Sequence, residues 1–168
     1  MLAAKAIVVG TVTFAAGLAG VAVSYPAARA ILRSRDVVLL PVTSFTELRA
    51  MVGTAALLAL AAVFALAVGT VLRRSAAAIT AVIVVVFLPE LLALGGLPPA
   101  PAQWLLRLTP AAGFAVQQSV RYYPQVSYAC RPANGCYPLT PWAGFGVLCI
   151  YAAAGLALAI FLLRRRDA

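Results

Sequence analysis

Residues 50–72 read AMVGTAALLALAAVFALAVGTVL and are followed at once by Arg73-Arg74. No charge interrupts this run, and at about 1.5 Å per residue a helix of that length reaches across a hydrocarbon core of roughly 30 Å. Working outward, residues 6–28 and 139–163 are two further uncharged runs of similar length, and residues 75–89 form a shorter one. Arg73-Arg74 and Arg164-Arg165-Arg166 stand at the ends of these runs, where clustered positive charge anchors a span on the cytoplasmic side. The expected fold is all-α: a polytopic membrane protein whose residues 1–168 make one transmembrane domain. Four transmembrane helices are expected, at about 6–28, 45–72, 75–97 and 141–163, with a short re-entrant or interfacial helical region inside an external segment, 98–140.

Composition agrees with a bilayer as the main solvent. The chain has 168 residues, 64% of them hydrophobic and 10% charged, with a mean hydropathy of +1.02, which is too apolar for one small soluble core. A net charge of +9 raises the possibility of nucleic acid, but the 13 basic residues lie singly or at span ends. They form no stripe with interleaved aromatics, so no nucleic-acid partner is expected. There is no histidine, and the four acidic residues are scattered. A histidine-based metal site or triad is excluded and a paired-carboxylate hydrolase is unsupported. No catalytic, metal or cofactor-binding residue is expected, and the lipid bilayer is the first partner implied.

The N-terminal run is tested separately as a secretory signal. Its 23 uncharged residues exceed an apolar signal core of about 7–15, and Arg29 falls inside the would-be cleavage site Ala28-Arg29-Ala30, so a retained helix is expected. Ala16, Gly20 and Ser24 recur at four-residue spacing along it. They are either a close-contact stripe for another helix or the chance product of an alanine-rich chain.

Between the first two spans, Ser44-Phe45-Thr46-Glu47 matches a capping box. Ser44 accepts from first-turn N–H groups, Glu47 reaches back, and the second helix begins at Phe45. After Arg73-Arg74-Ser75 the third run begins almost at once, as in a tight helical hairpin. Pro89-Glu90 and then Gly95-Gly96 interrupt it, so it either spans with a kink or enters, bends and leaves on one side. Glu90 is the acid deepest within these runs. It either faces the bundle interior or an aqueous path, with Pro89 supplying the kink, or snorkels to the interface.

Residues 98–141 change in character. A short interfacial helix is expected around Trp104, followed by a second helix capped by Thr109 with Pro110 at its first position. Tyr122, Tyr123, Tyr128, Tyr137 and Trp142 suit the membrane surface. Cys130 and Cys136 bracket an Asn134-Gly135 turn. Facing an oxidising exterior, they form a disulfide contributing roughly 2 kcal/mol. Cys149 reads as a small side chain within the last span.

Placing Arg73, Arg74, Arg164, Arg165 and Arg166 on the cytoplasmic face puts both termini inside after four crossings of the plasma membrane. The external segments then carry seven basic residues against six inside, although the inside six are packed into very short segments, where the rule acts most strongly.

Several strings, in order, resemble the later part of an ABC-2-type exporter permease, especially of the actinobacterial sort. They are Lys5 before the first helix, Arg49-Ala50-Met51-Val52-Gly53-Thr54-Ala55, Leu72-Arg73-Arg74-Ser75, Phe87-Leu88-Pro89, Leu108-Thr109-Pro110-Ala111-Ala112-Gly113, Thr140-Pro141-Trp142-Ala143-Gly144-Phe145, and Arg165-Arg166-Asp167-Ala168. The resemblance covers nearly the whole chain but only the third to sixth helices of a six-helix family. It implies an N-terminal truncation, a late-assigned start, or a separate chain carrying the rest. It further implies ATP-driven export, with a separate ABC ATPase subunit and a second permease copy or homologous permease chain as partners. The chain has no Gly-rich phosphate loop ending in Lys-Ser or Lys-Thr, so hydrolysis falls to the partner. The rival expectation is a non-transporting four-helix membrane scaffold, assembly factor or inactive remnant.

Overall fold

Each long uncharged run folds as a continuous helix in a computed structural model that describes residues 2–35, 43–72, 75–95, 99–117 and 139–166. Helix α1 covers Leu2–Ser34, α2 Ser44–Leu72, α3 Ser75–Gly95, α4 Pro99–Leu108 and α5 Pro141–Arg166, with a 3-10 helix, Pro110–Gln117, between α4 and α5. The described residues contain no strand. Three helices, α1, α2 and α5, are long and apolar enough to cross a membrane. In α3 the apolar stretch is the shorter Ala78–Pro89, and the helix runs on through Pro89 to Gly95.

Close approaches at glycine fix the helix directions. A Cβ on Gly10 would lie 3.3 Å from Val63, and one on Gly17 would lie 3.1 Å from the Ala55 backbone; α1 therefore descends as α2 ascends, and the pair is antiparallel. Gly155 of α5 faces Ala67 and Phe64 of α2, while Leu148 clusters with Leu57. Helices α2 and α5 thus run in the same direction. The start of α1 and the ends of α2 and α5 share one end of the bundle, with Lys5, Arg164 and Arg165. The Arg29 end of α1 and the first turns of α2 and α5 occupy the other.

The outer faces are largely apolar: Val23 is 72% exposed, Ile150 69% and Ile7 66%, and the exposed hydroxyls of Thr11 and Ser24 bond to carbonyls of their own helix. Such helices need lipid around them, because a water-facing helix of this kind would carry a polar stripe. The largest fully buried side chains, Leu148 and Val116, lie toward the Arg29 end. They form a hydrophobic cluster with Leu57, and Leu60, Phe114 and Phe145 pack against it.

Three local expectations are corrected, and one left open is narrowed. The first helix does not stop at residue 28; it continues through Pro26 to Ser34, because a proline inside a helix removes one backbone bond without ending it when the next turns still pair. The cap of α2 is Thr43 rather than Ser44. The Thr43 carbonyl accepts the N–H groups of Thr46 at 2.9 Å and Glu47 at 3.1 Å, its hydroxyl pairs with that of Thr46 at 2.8 Å, and Ser44 is already helical. The segment after Thr109 is 3-10 rather than α, with the Ala112 N–H donating to the Thr109 carbonyl at 3.0 Å. The Thr109 hydroxyl turns back to the Leu105 carbonyl at 2.8 Å and does not cap the 3-10 turn. Lastly, the stripe Ala16, Gly20 and Ser24 faces outward: a Cβ on Gly20 meets nothing within 4 Å, and the contact with α2 is made by Gly17.

Candidate functional site

Two clusters lie toward the Arg29 end. The first is built on the 3-10 helix. Pro110, Ala111, Ala112, Gly113, Ala115 and Val116 are all buried, which is possible because their side chains are small enough for the backbone to enter between α2 and α5. Glycines on both sides make room. A Cβ on Gly53 of α2 would lie 2.6 Å from Val116, one on Gly113 would lie 2.8 Å from Leu148, and one on Gly144 of α5 would run into the Ala112 carbonyl. From α3, Phe87 meets Phe114 with ring centroids 5.5 Å apart.

Carbonyls leading into the 3-10 helix find partners within the protein, as a backbone segment buried in a bilayer would require. The Leu105 carbonyl accepts both the N–H of Thr109, at 3.2 Å, and its hydroxyl. The Leu108 carbonyl accepts the Tyr151 hydroxyl at 2.6 Å. Tyr151 stands ten residues into α5, about 15 Å along its axis, so this bond lies well below the first turn of that helix. Trp104, by contrast, is exposed, with the Arg107 guanidinium 5.6 Å from its ring centre.

The second cluster joins α1 to α2. Arg29 Nη2 donates to Glu47 Oε1 at 2.9 Å, the two side chains being 42% and 21% exposed. The same guanidinium lies 5.1 Å from the centre of the Tyr25 ring. Glu47 occupies the first turn of α2, where a negative charge complements the helix dipole. A pair this open to solvent contributes little, about 0–1 kcal/mol. Glu47 therefore does not reach back to cap α2; Arg29 holds it.

The other expected residues are spread along the chain. Pro89 is buried within α3, whereas Glu90, the next helical residue, has a side chain that lies outside the described ones. Arg164 and Arg165 end α5, where Arg165 lies 5.6 Å from the Phe161 ring centre. Arg73, Arg74, Cys130, Cys136 and the tyrosines at 122, 123, 128 and 137 lie outside the described residues, as does the Arg166 side chain. Cys149 is a free, half-buried thiol in α5. Among the described residues no group of three or more histidine, cysteine, aspartate or glutamate side chains could hold a metal ion.

Sequence reasoning missed Arg29 as the partner of Glu47, Tyr151 as the donor to Leu108, and the glycines at 53, 113 and 144. A signal for the first was present: residues that pair across an antiparallel hairpin lie at nearly equal chain distances from its turn, as Gly17 with Ala55 and Arg29 with Glu47 do.

These features define an all-helical protein with three helices able to span a bilayer. No known protein family, curated protein or solved structure matches the chain.

Proposed function

We propose that this chain is a permease subunit, or part of one, of an ATP-driven ABC exporter, and that it crosses the plasma membrane four times with both termini in the cytoplasm. The observation that carries the reading is the buried 3-10 helix, an element that enters the bundle between α2 and α5 while its flanking helix α4 keeps Trp104 exposed. A re-entrant element would account for it, and it falls where the ABC-2-like strings, residues 108–113 and 140–145, lie in the sequence.

The fourth crossing is α3. Since α2 and α5 run in the same direction, the chain between them has to return from the basic end to the other. Helix α3 leads from Ala78, beside Gly69 near the end of α2, to Phe87 beside Phe114. Its 21 residues measure about 31 Å at helical rise. Lys5, Arg73, Arg74, Arg164, Arg165 and Arg166 then share the cytoplasmic side. An ABC ATPase subunit docks there and supplies hydrolysis, and a second permease copy or homologous chain completes the path.

The test is purification of a tagged chain from its own membrane after mild cross-linking. Recovery of an ABC ATPase, with hydrolysis in nanodiscs rising several-fold when this chain is present, is the expected result. Recovery of the chain without any ATPase in a stable assembly would reject transport and favour the non-transporting scaffold.

A further inference from the structure

We propose that the end of α1, from Pro26 to Ser34, is a hinged flap, and that the Arg29–Glu47 pair is the latch that holds it against α2. Three observations meet here. Pro26 lies inside α1, so the bond its N–H would have made to the Ala22 carbonyl is missing and the helix has a built-in weak point at that turn. Before that point α1 is held by tight contact: Gly10 lies against Val63 and Gly17 against the Ala55 backbone. Beyond it the seam changes from packing to charge, with Arg29 donating to Glu47 at 2.9 Å.

The remainder of the flap adds little to its hold. Ile31 is 61% exposed and Leu32 39%, and Ala27, Ala28, Arg33 and Ser34 are exposed as well. Tyr25, one residue before the proline, bears on the pair through Arg29, whose guanidinium lies over its ring at 5.1 Å. The hinge and the latch are thus in direct contact. A half-exposed ion pair is weak enough to open and strong enough to bias a hinge, which is what a switchable element requires. When the latch opens, the flap swings about Pro26 while the glycine-packed part of α1 stays in place. The inference concerns the chain's own conformations and stands whether or not it belongs to an exporter.

Spin labels at Ile31→Cys and Trp142→Cys, in a full-length chain with Cys130, Cys136 and Cys149 replaced and embedded in nanodiscs, report the flap. Labels at Val8→Cys and Phe161→Cys report the basic end. Glu47→Gln is expected to widen the 31–142 distance distribution at least twofold and leave the 8–161 distribution unchanged. Adding Pro26→Ala to Glu47→Gln should narrow the first distribution again, because the hinge is then removed. The charge-swapped Arg29→Glu/Glu47→Arg chain should recover most of the native width, short of all of it because an arginine in the first turn of α2 opposes that helix's dipole. An unchanged 31–142 width in Glu47→Gln overturns the latch. Widening at both ends overturns the flap, since the pair would then hold the whole bundle, and a width insensitive to Pro26→Ala overturns the hinge.

Discussion

Three glycines and one tyrosine hydroxyl decide whether the 3-10 backbone can lie where it does. Gly144 is the least replaceable, because an added Cβ meets the Ala112 carbonyl, and backbone cannot rotate aside as a side chain can. Gly53 is next: its added Cβ would lie 2.6 Å from a methyl of Val116, a β-branched side chain with few alternative rotamers. Overpacking of this kind costs about 1–3 kcal/mol. Gly144→Ala and Gly53→Ala should therefore lower thermal stability in detergent, the first more than the second, while Gly20→Ala, which points into open space, should leave it unchanged or raise it slightly through better helix propensity. A Gly20→Ala loss equal to that of Gly53→Ala would show that the stripe on α1 is packed after all. Tyr151→Phe removes the donor to Leu108 and leaves that carbonyl short of a partner, at a cost of about 0.5–1.5 kcal/mol. Unfolding of Tyr151→Phe beside wild type measures this, and equal stability would mean that the carbonyl is satisfied in another way.

At the scale of elements, the helices were legible and their neighbours were not. The uncharged runs announce α1, α2 and α5 because lipid permits no other reading of twenty apolar residues in a row. Ends are set more subtly. The chain offers Thr43 and Ser44 in succession, and both have capping chemistry; the Thr43 carbonyl takes the first helical bonds, and the partner of Glu47 is Arg29, a residue 18 positions away. In the same way, Pro110-Ala111-Ala112-Gly113 reads as the start of an α-helix. It becomes 3-10 in a slot formed by α2 and α5, whose width is set by Gly53 and Gly144. Sequence alone placed the re-entrant or interfacial region within 98–140 without showing how deeply any part is buried. Burial yields a measurable consequence. In nanodiscs, amide hydrogens of 111–117 should exchange at least tenfold more slowly than those of 44–49, although the first segment is 3-10 and the second is α, because protection follows packing and access. Similar rates in the two segments would indicate that the 3-10 helix leaves its slot readily.

At the scale of the whole molecule, the proposed orientation rests on charge and the proposed span number on helix direction. Lys5, Arg164 and Arg165 collect at one end of the bundle, and in the sequence Arg73-Arg74 directly follow α2 and Arg166 directly follows Arg165, a pattern of clustered charge in short segments that motivates the proposed cytoplasmic side. Because α2 and α5 are parallel, any membrane that both cross must also be crossed by the chain between them, so orientation and span number can be tested together. Single cysteines at Ser75, where α3 begins, and at Thr140, just before α5, replace the native Cys130, Cys136 and Cys149 as targets for an impermeant thiol reagent. Thr140→Cys should react in intact cells while Ser75→Cys should react in inverted vesicles. Labelling of both sites from one side would mean that α3 enters and leaves by the same face, which would contradict the parallel course of α2 and α5 across the bilayer. The mirror-image result, Ser75→Cys reactive from outside and Thr140→Cys from inside, would keep four crossings and reverse the orientation, placing the basic end outside. The six clustered cations would then have failed to hold their side against the seven spread along the opposite segments.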